Sequence, residues 1–169
     1  KVVHGMLGYA RKMEPHLEDV DVNETLHQTI DLLANYARIN NIDIQTNFAP
    51  DLPIIAADQA QLQQVFFNLI TNAIDAIGQN GEIRVTSEKV QNQILVHVLD
   101  NGPGMGEEQL RRVFDPFYTT KMTGKGTGLG LWISYSIIEK MGGTIAVHSR
   151  GGEGARFTVQ MPIVIPEKK

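Results

Sequence analysis

The chain has 169 residues, 42% of them hydrophobic, which suits one domain around a sizeable core. A formal net charge of −4 without any Lys/Arg run excludes the basic face of a nucleic-acid binder, and the absence of cysteine excludes disulfides, thiolate zinc sites and thiol nucleophiles. No apolar stretch approaches the roughly 18 residues of a membrane helix, so the segment is expected to touch no membrane and to be cytoplasmic, within a parent chain that is free to be membrane-anchored.

Val3, Met6, Leu7, Ala10 and Met13 recur at helical spacing, and Pro15 stops this first helix near Glu14. After an acidic linker, a second helix is capped at Asp21 or Asn23 and turns Leu26, Ile30, Leu33 and Ala37 inward as far as Asn40-Asn41. Asn23-Glu24-Thr25 is formally a glycosylation sequon, but at a helix start capping is the better reading. Ile42, Ile44, Thr46 and Phe48 alternate as a strand closed by Pro50.

Asp58 and Gln61 form a capping-box pattern for the next helix, whose core stripe is Leu62, Val65, Phe66, Leu69, Ala73 and Ile77. Its opposite face carries Asn68, Asn72 and Asp75 at helical spacing, with Gln61 and Gln64 extending the row. Exposed helix faces ordinarily carry Lys, Glu and Arg, and asparagines cost helix propensity without adding charge, so this face reads as a site rather than a solvated surface.

Asn80-Gly81 turns the chain into a hairpin that sets Ile83, Val85 and Ser87 against Ile94, Val96 and Val98, with its turn at Gln91-Asn92 and Asp100 ending the second strand. A glycine-rich loop to Gly126 follows, with one short helix at Glu107–Val113; loops of this length in compact domains tend to be lids. A third long helix is expected from about Thr127 to Met141, with Leu131, Ser134, Tyr135 and Ile138 on one side and Gly142-Gly143 stopping it. Thr144 to Ser149 and Ala155 to Pro162 form a last hairpin through Gly151, Gly152 and Gly154. Three long helices on one face of a sheet of about five strands, the strands in sequential hairpins, make an α+β two-layer sandwich.

The chemistry concentrates between Asp100 and Leu131 and on the asparagine face. Neither GxxxxGK[ST] nor GxGxxG can be drawn through the glycines, so a P-loop or Rossmann turn is excluded. Asn72 offers a neutral amide oxygen suited to a magnesium ion that takes its other oxygens from phosphates, and Asn68, one turn away, suits a magnesium-bound water or a phosphate oxygen. An ionised Asp100 only accepts hydrogen bonds, so it suits the exocyclic amine of adenine and repels the carbonyl of guanine. Gly102 and Gly104 allow backbone to approach a flat base. At Gly126, Thr127, Gly128, Leu129 and Gly130, backbone N–H groups at a helix start suit a triphosphate.

NLITNAIDAI, DNGPGM, FDPFYTTK and GTGLGL, in this order, resemble the N box, first glycine box, F box and second glycine box of bacterial sensor histidine kinases, over about residues 21–162. The resemblance implies the Bergerat ATP-binding fold with a mixed sheet and a flexible ATP lid from Phe114 to Gly130. It also implies ATP and magnesium as cofactors, with Asn72 holding the metal, Asp100 reading adenine, and Met105, Phe117 and Leu131 among the nucleotide contacts.

Hydrolysing relatives place a glutamate at the Asn68 position, and an amide cannot act as a general base, so phosphoryl transfer fits better than hydrolysis. Asn68, Asn72 and Lys121 are the residues expected to support that transfer. The family's acceptor is a histidine followed by an acid on a dimerisation segment. None of the five histidines qualifies, since His4, His16, His27, His97 and His148 precede Gly5, Leu17, Gln28, Val98 and Ser149.

By resemblance, residues 1–18 are the tail of that segment and a linker, and 19–169 the catalytic domain. The implied partners are the histidine-bearing segment of the parent chain and a response regulator receiver domain. This chain is expected to be monomeric and its parent a homodimer. Two departures stand out: Asp75 where many members carry a phosphate-touching base, which leaves phosphate charge to Lys121 first and Lys125 second, and Gly154-Ala155-Arg156-Phe157 where the last strand usually reads GTxF. The rival readings are an ATPase of the same superfamily and a non-catalytic nucleotide-sensing module.

Overall fold

The structure, a computed structural model, describes residues 14–164; the helix expected to end near Glu14 lies outside the described residues. In chain order the elements are β1 (Glu18–Val20), α1 (Val22–Ile39), β2 (Ile42–Phe48), β3 (Ile55–Ala57), α2 (Gln59–Ile77), β4 (Gly81–Val90), β5 (Gln93–Asp100), α3 (Glu107–Arg112), α4 (Gly130–Lys140), β6 (Thr144–Ser149) and β7 (Ala155–Pro162).

Local chemistry explains the helix starts. Asp21 caps α1 by accepting the Glu24 N–H at 3.1 Å, and Asp58 caps α2 by accepting the Gln61 N–H at 3.0 Å. Asn23 is therefore not the cap. Its amide instead donates to the Ala49 carbonyl and accepts from the Ser87 hydroxyl, both at 2.7 Å, and so ties α1 to β4.

Five strands form one mixed sheet in the order β2-β4-β5-β7-β6. Ile83, Val85, Ile94, Val96, Val98, Phe157, Val159 and Met161 alternate onto a single face, where they meet Leu26, Leu33, Leu62, Phe66, Leu69 and Ile138 from α1, α2 and α4. Phe66, Leu62 and Ile138 are wholly buried, each contributing about 1.5–3 kcal/mol against exposure. The other face of the sheet is partly exposed and carries Arg84, His97 and Arg156.

Three expectations need correction. The strands are not all sequential hairpins: β2 runs parallel to β4, Ile42 opposite Gly81, because the chain crosses over through α2 before returning. The last hairpin also inserts inverted, so that β7 rather than β6 borders β5, with Asp100 opposite Ala155. Finally, α4 begins at Gly130 rather than near Thr127, since Gly128 has φ +69, a left-handed value that a helix cannot include. The two-stranded ribbon pairing Glu18 with Ala57 and Val20 with Ile55 was not foreseen; three-residue strands are too short to show a period.

Candidate functional site

The polar face of α2 is covered from two sides. At Asn68, Nδ2 lies 3.1 Å from both the Gly130 carbonyl and Ser134 Oγ, and Ser134 Oγ donates to the same carbonyl at 2.9 Å. A carbonyl only accepts, so this closed triangle turns the amide nitrogen toward α4 and leaves its oxygen uncommitted to that contact. Ser134 is fully buried, and its role was missed in the sequence, where it counted only as part of an inward stripe. Asn72 is half-buried one turn further on, and the Thr71 hydroxyl beside it is buried without a partner among the described residues.

At the next turn Asp75 accepts the Tyr36 hydroxyl at 2.5 Å and pairs with the Lys121 ammonium. The carboxylate, first through its hydrogen bond, raises the Tyr36 pKa above its ordinary value. Lys121, expected to serve phosphate, is thus engaged with the N box itself. Lys125 is exposed, and its backbone N–H closes a turn onto Met122 at 2.9 Å.

Asp100 lies at the end of β5, 5% exposed, with Oδ1 accepting the Gly102 N–H at 2.9 Å. Burial pushes its carboxyl above the usual carboxylate range, and backbone hydrogen bonds from Gly102 and Ala155 oppose the rise. A Cβ on Gly102 would lie 2.9 Å from that carboxylate and 3.3 Å from the Ala76 backbone, so the acid and its turn sit directly against the last turns of α2. Asp100, expected to read adenine, and the asparagine row are therefore neighbours.

The expected reason for Gly104 needs correction. Its φ is +71, and a Cβ there would come within 2.0 Å of the Arg150 carbonyl, so it is glycine to pack on the β6–β7 turn rather than to admit a base. The same turn is stitched on by the Met105 N–H to Ser149 Oγ at 2.8 Å and the Gly152 N–H to the Pro103 carbonyl at 2.6 Å. Gly154, expected only to turn the last hairpin, is equally constrained: a Cβ would meet the Asp100 carbonyl at 2.0 Å.

In the lid segment, Phe114 anchors one end against Tyr135 and Phe157, with ring centroids 5.6 and 6.3 Å away. Exposed Phe117, at φ +66, donates its N–H to the Gly128 carbonyl at 2.9 Å and closes the neck of the loop. A Gly128 Cβ would lie 2.4 Å from the Phe117 carbonyl carbon, and one on Gly126 would lie 2.8 Å from Lys121 Cδ. Thr127 Oγ1 accepts the Leu129 N–H at 3.3 Å just before α4, and Leu131 and Met105 supply partly buried apolar surface.

This donor set fits magnesium delivered with a nucleotide. Two neutral amides stand beside a lysine and a glycine-rich helix start, and no cluster of three acidic or histidine side chains able to hold a metal alone occurs among the described residues. None of their helices is long and apolar enough to cross a membrane.

The family profile described as histidine kinase-, DNA gyrase B-, and HSP90-like ATPase matches residues 57–165. Sensor histidine kinase ZraS of Escherichia coli O157:H7 is 39% identical over 168 residues, covering 99% of this chain and 36% of that protein. This chain thus spans about a third of the curated relative's length. Among solved structures, the catalytic domain of histidine kinase ThkA superposes with TM-score 0.80 at 35% identity, covering 88% of this chain and 97% of that one. Full-length ShkA in complex with AMPPNP superposes with TM-score 0.85 at 29% identity, covering 99% of this chain and 36% of that one. ThkA in complex with the response regulator protein TrrA superposes with TM-score 0.81 at 31% identity, covering 96% and 46%.

Proposed function

This chain belongs to the histidine kinase-, DNA gyrase B-, and HSP90-like ATPase family, among the catalytic domains of sensor histidine kinases, and on that premise we propose that it transfers the terminal phosphoryl group of ATP to a histidine. The acceptor is on a dimerisation segment of the parent chain, and a response regulator receives the group from there; the likeness to ThkA bound to TrrA supports the second step. Localisation in the cytoplasm follows from the same reading.

The observation that carries transfer over hydrolysis is Asn68. Its amide is anchored to Gly130 and Ser134 and has no basicity with which to activate water. Asp100 accepts from the adenine amine in a site from which water is largely removed, so a base offering a carbonyl there is rejected. Asn72 holds the magnesium ion, and Asn68 contributes its amide alongside. When bound, magnesium neutralises phosphate charge and orients the chain of phosphates. Lys121 and the backbone N–H groups at the start of α4 supply the remaining positive potential, so positioning and charge neutralisation account for the catalysis.

Calorimetric titration with ATP, with and without magnesium and with GTP as control, tests binding. The chain joined to its histidine-bearing segment is then expected to form an acid-labile, base-stable phosphohistidine. Steady phosphate release by this domain alone would favour the ATPase instead. Binding without any phosphohistidine would favour a nucleotide-sensing module.

A further inference from the structure

A carboxylate at position 75 is an odd choice for a face that receives phosphates, yet neither of its oxygens is bare. Oδ1 accepts a hydrogen bond from the Tyr36 hydroxyl of α1, and Oδ2 accepts one from the Lys121 ammonium of the lid. The cluster thus ties three separate segments together. Side-chain exposure is 21% for Asp75 and 33% for Lys121, so the pair is screened less than an open surface pair. Between the Phe117–Gly128 neck and the loop tip, the other side-chain tie to a helix among the described residues is Arg112 over the Tyr118 ring at 4.5 Å, which holds the lid to α3 and not to α2.

We propose that Tyr36 and Asp75 form a dock for the lid lysine, and that the terminal phosphate of ATP competes with this dock for Lys121. This rests on the reading of the site as one that binds ATP. Tyr36 and Asp75 are then positioning residues that set the preference for ATP over ADP, because a nucleotide lacking the terminal phosphate leaves Lys121 docked. The Tyr36 hydrogen bond fixes the carboxylate toward the lid, and a phosphate, richer in charge and acceptor oxygens than a single carboxylate, displaces Lys121 from the dock. In the nucleotide-free protein the dock holds the lid against α2; with ATP the lid is held by the ligand.

The test uses Asp75→Asn, Tyr36→Phe and Lys121→Met, with two readouts. Trypsin cleavage after Lys121 and Lys125, followed by mass, reports the lid without nucleotide. Titration with ATP and ADP in magnesium reports the competition. Asp75→Asn should speed cleavage at both lysines and tighten ATP by about 2- to 5-fold, the range expected for releasing a partly buried ion pair. ADP affinity should stay unchanged. Tyr36→Phe should speed cleavage less, and Asp75→Asn should change nothing further for ATP in a Lys121→Met background.

Weaker ATP binding by Asp75→Asn would overturn the proposal, because it would make Asp75 a direct support of the bound metal. Equal tightening of ATP and ADP, or tightening that persists in Lys121→Met, would overturn it as well, since simple removal of a charge would then explain the effect. Failure of the wild type to bind ATP would instead sink the proposed function and the competition with it, while the cleavage rates still decide whether the dock holds the lid.

Discussion

Replacing Asp100 by Asn tests the adenine site and the electrostatics of the fold at once. The carboxylate is 5% exposed and accepts the Gly102 N–H at 2.9 Å. Asparagine keeps the shape but brings two donors, so its oxygen can face either Gly102 or the adenine amine, and the other partner meets an N–H. Losing a charge-assisted hydrogen bond and leaving a donor unpaired costs about 1.5–3 kcal/mol, or about 10- to 150-fold in ATP dissociation constant. Stability should move the other way. Burial, as the larger influence, raises the Asp100 pKa above the ordinary carboxyl value of 3.8.

The folded state therefore holds this proton more tightly than the unfolded chain. The group favours folding below pH 3.8 and loses that contribution as pH climbs through the raised folded-state value, leaving a constant penalty at neutral pH. Asp100→Asn removes that penalty, so its melting temperature at pH 7 should equal or exceed that of wild type, and the gap should close in acid. Titration calorimetry with ATP and thermal melts from pH 3 to 7 check both arms. Unchanged ATP affinity in the variant would refute the assignment of adenine to Asp100, and a large drop in melting temperature at pH 7 would refute the desolvation argument.

Two glycines should separate fold from lid. Gly104→Ala places a Cβ 2.0 Å from the Arg150 carbonyl at φ +71, and should cost about 2 kcal/mol or more in denaturant unfolding. Gly128→Ala meets Phe117 backbone at 2.4 Å but in a loop outside the core, so it should change proteolysis of the lid and ATP affinity while the melting temperature stays nearly constant. Thr71→Val replaces a buried hydroxyl lacking a partner among the described residues, and should stabilise by about 1 kcal/mol, raising the melting temperature by about 2–4 °C. A fall of similar size would show that the hydroxyl is paired.

Most of the fold was legible because its signals are local. Asp21 and Asp58 cap helices through side-chain bonds spanning three residues, and the alternation through Ile94, Val96 and Val98 declares one buried face. The four boxes pointed to the candidate site for the same reason: each is a contiguous run whose residue types suit one part of a nucleotide. Asn68, Asn72 and Asp75 were recognisable as a face by helical spacing alone.

What the tertiary structure decided concerns partners distant in sequence. Spacing could not show that Asp75 would be met by Tyr36 from 39 residues before it and Lys121 from 46 residues after it. Nor could it show that Asn68 would be oriented by Ser134, or that Gly104 would be needed for Arg150. The parallel pairing of β2 with β4 and the inverted last hairpin have the same origin, since strand order is chosen by which apolar faces can be buried together. The sequence determined which groups could bind a nucleotide, because that depends on side-chain chemistry and short-range spacing. Which of those groups are already occupied in the folded protein depends on contacts between elements, and only packing assigns them.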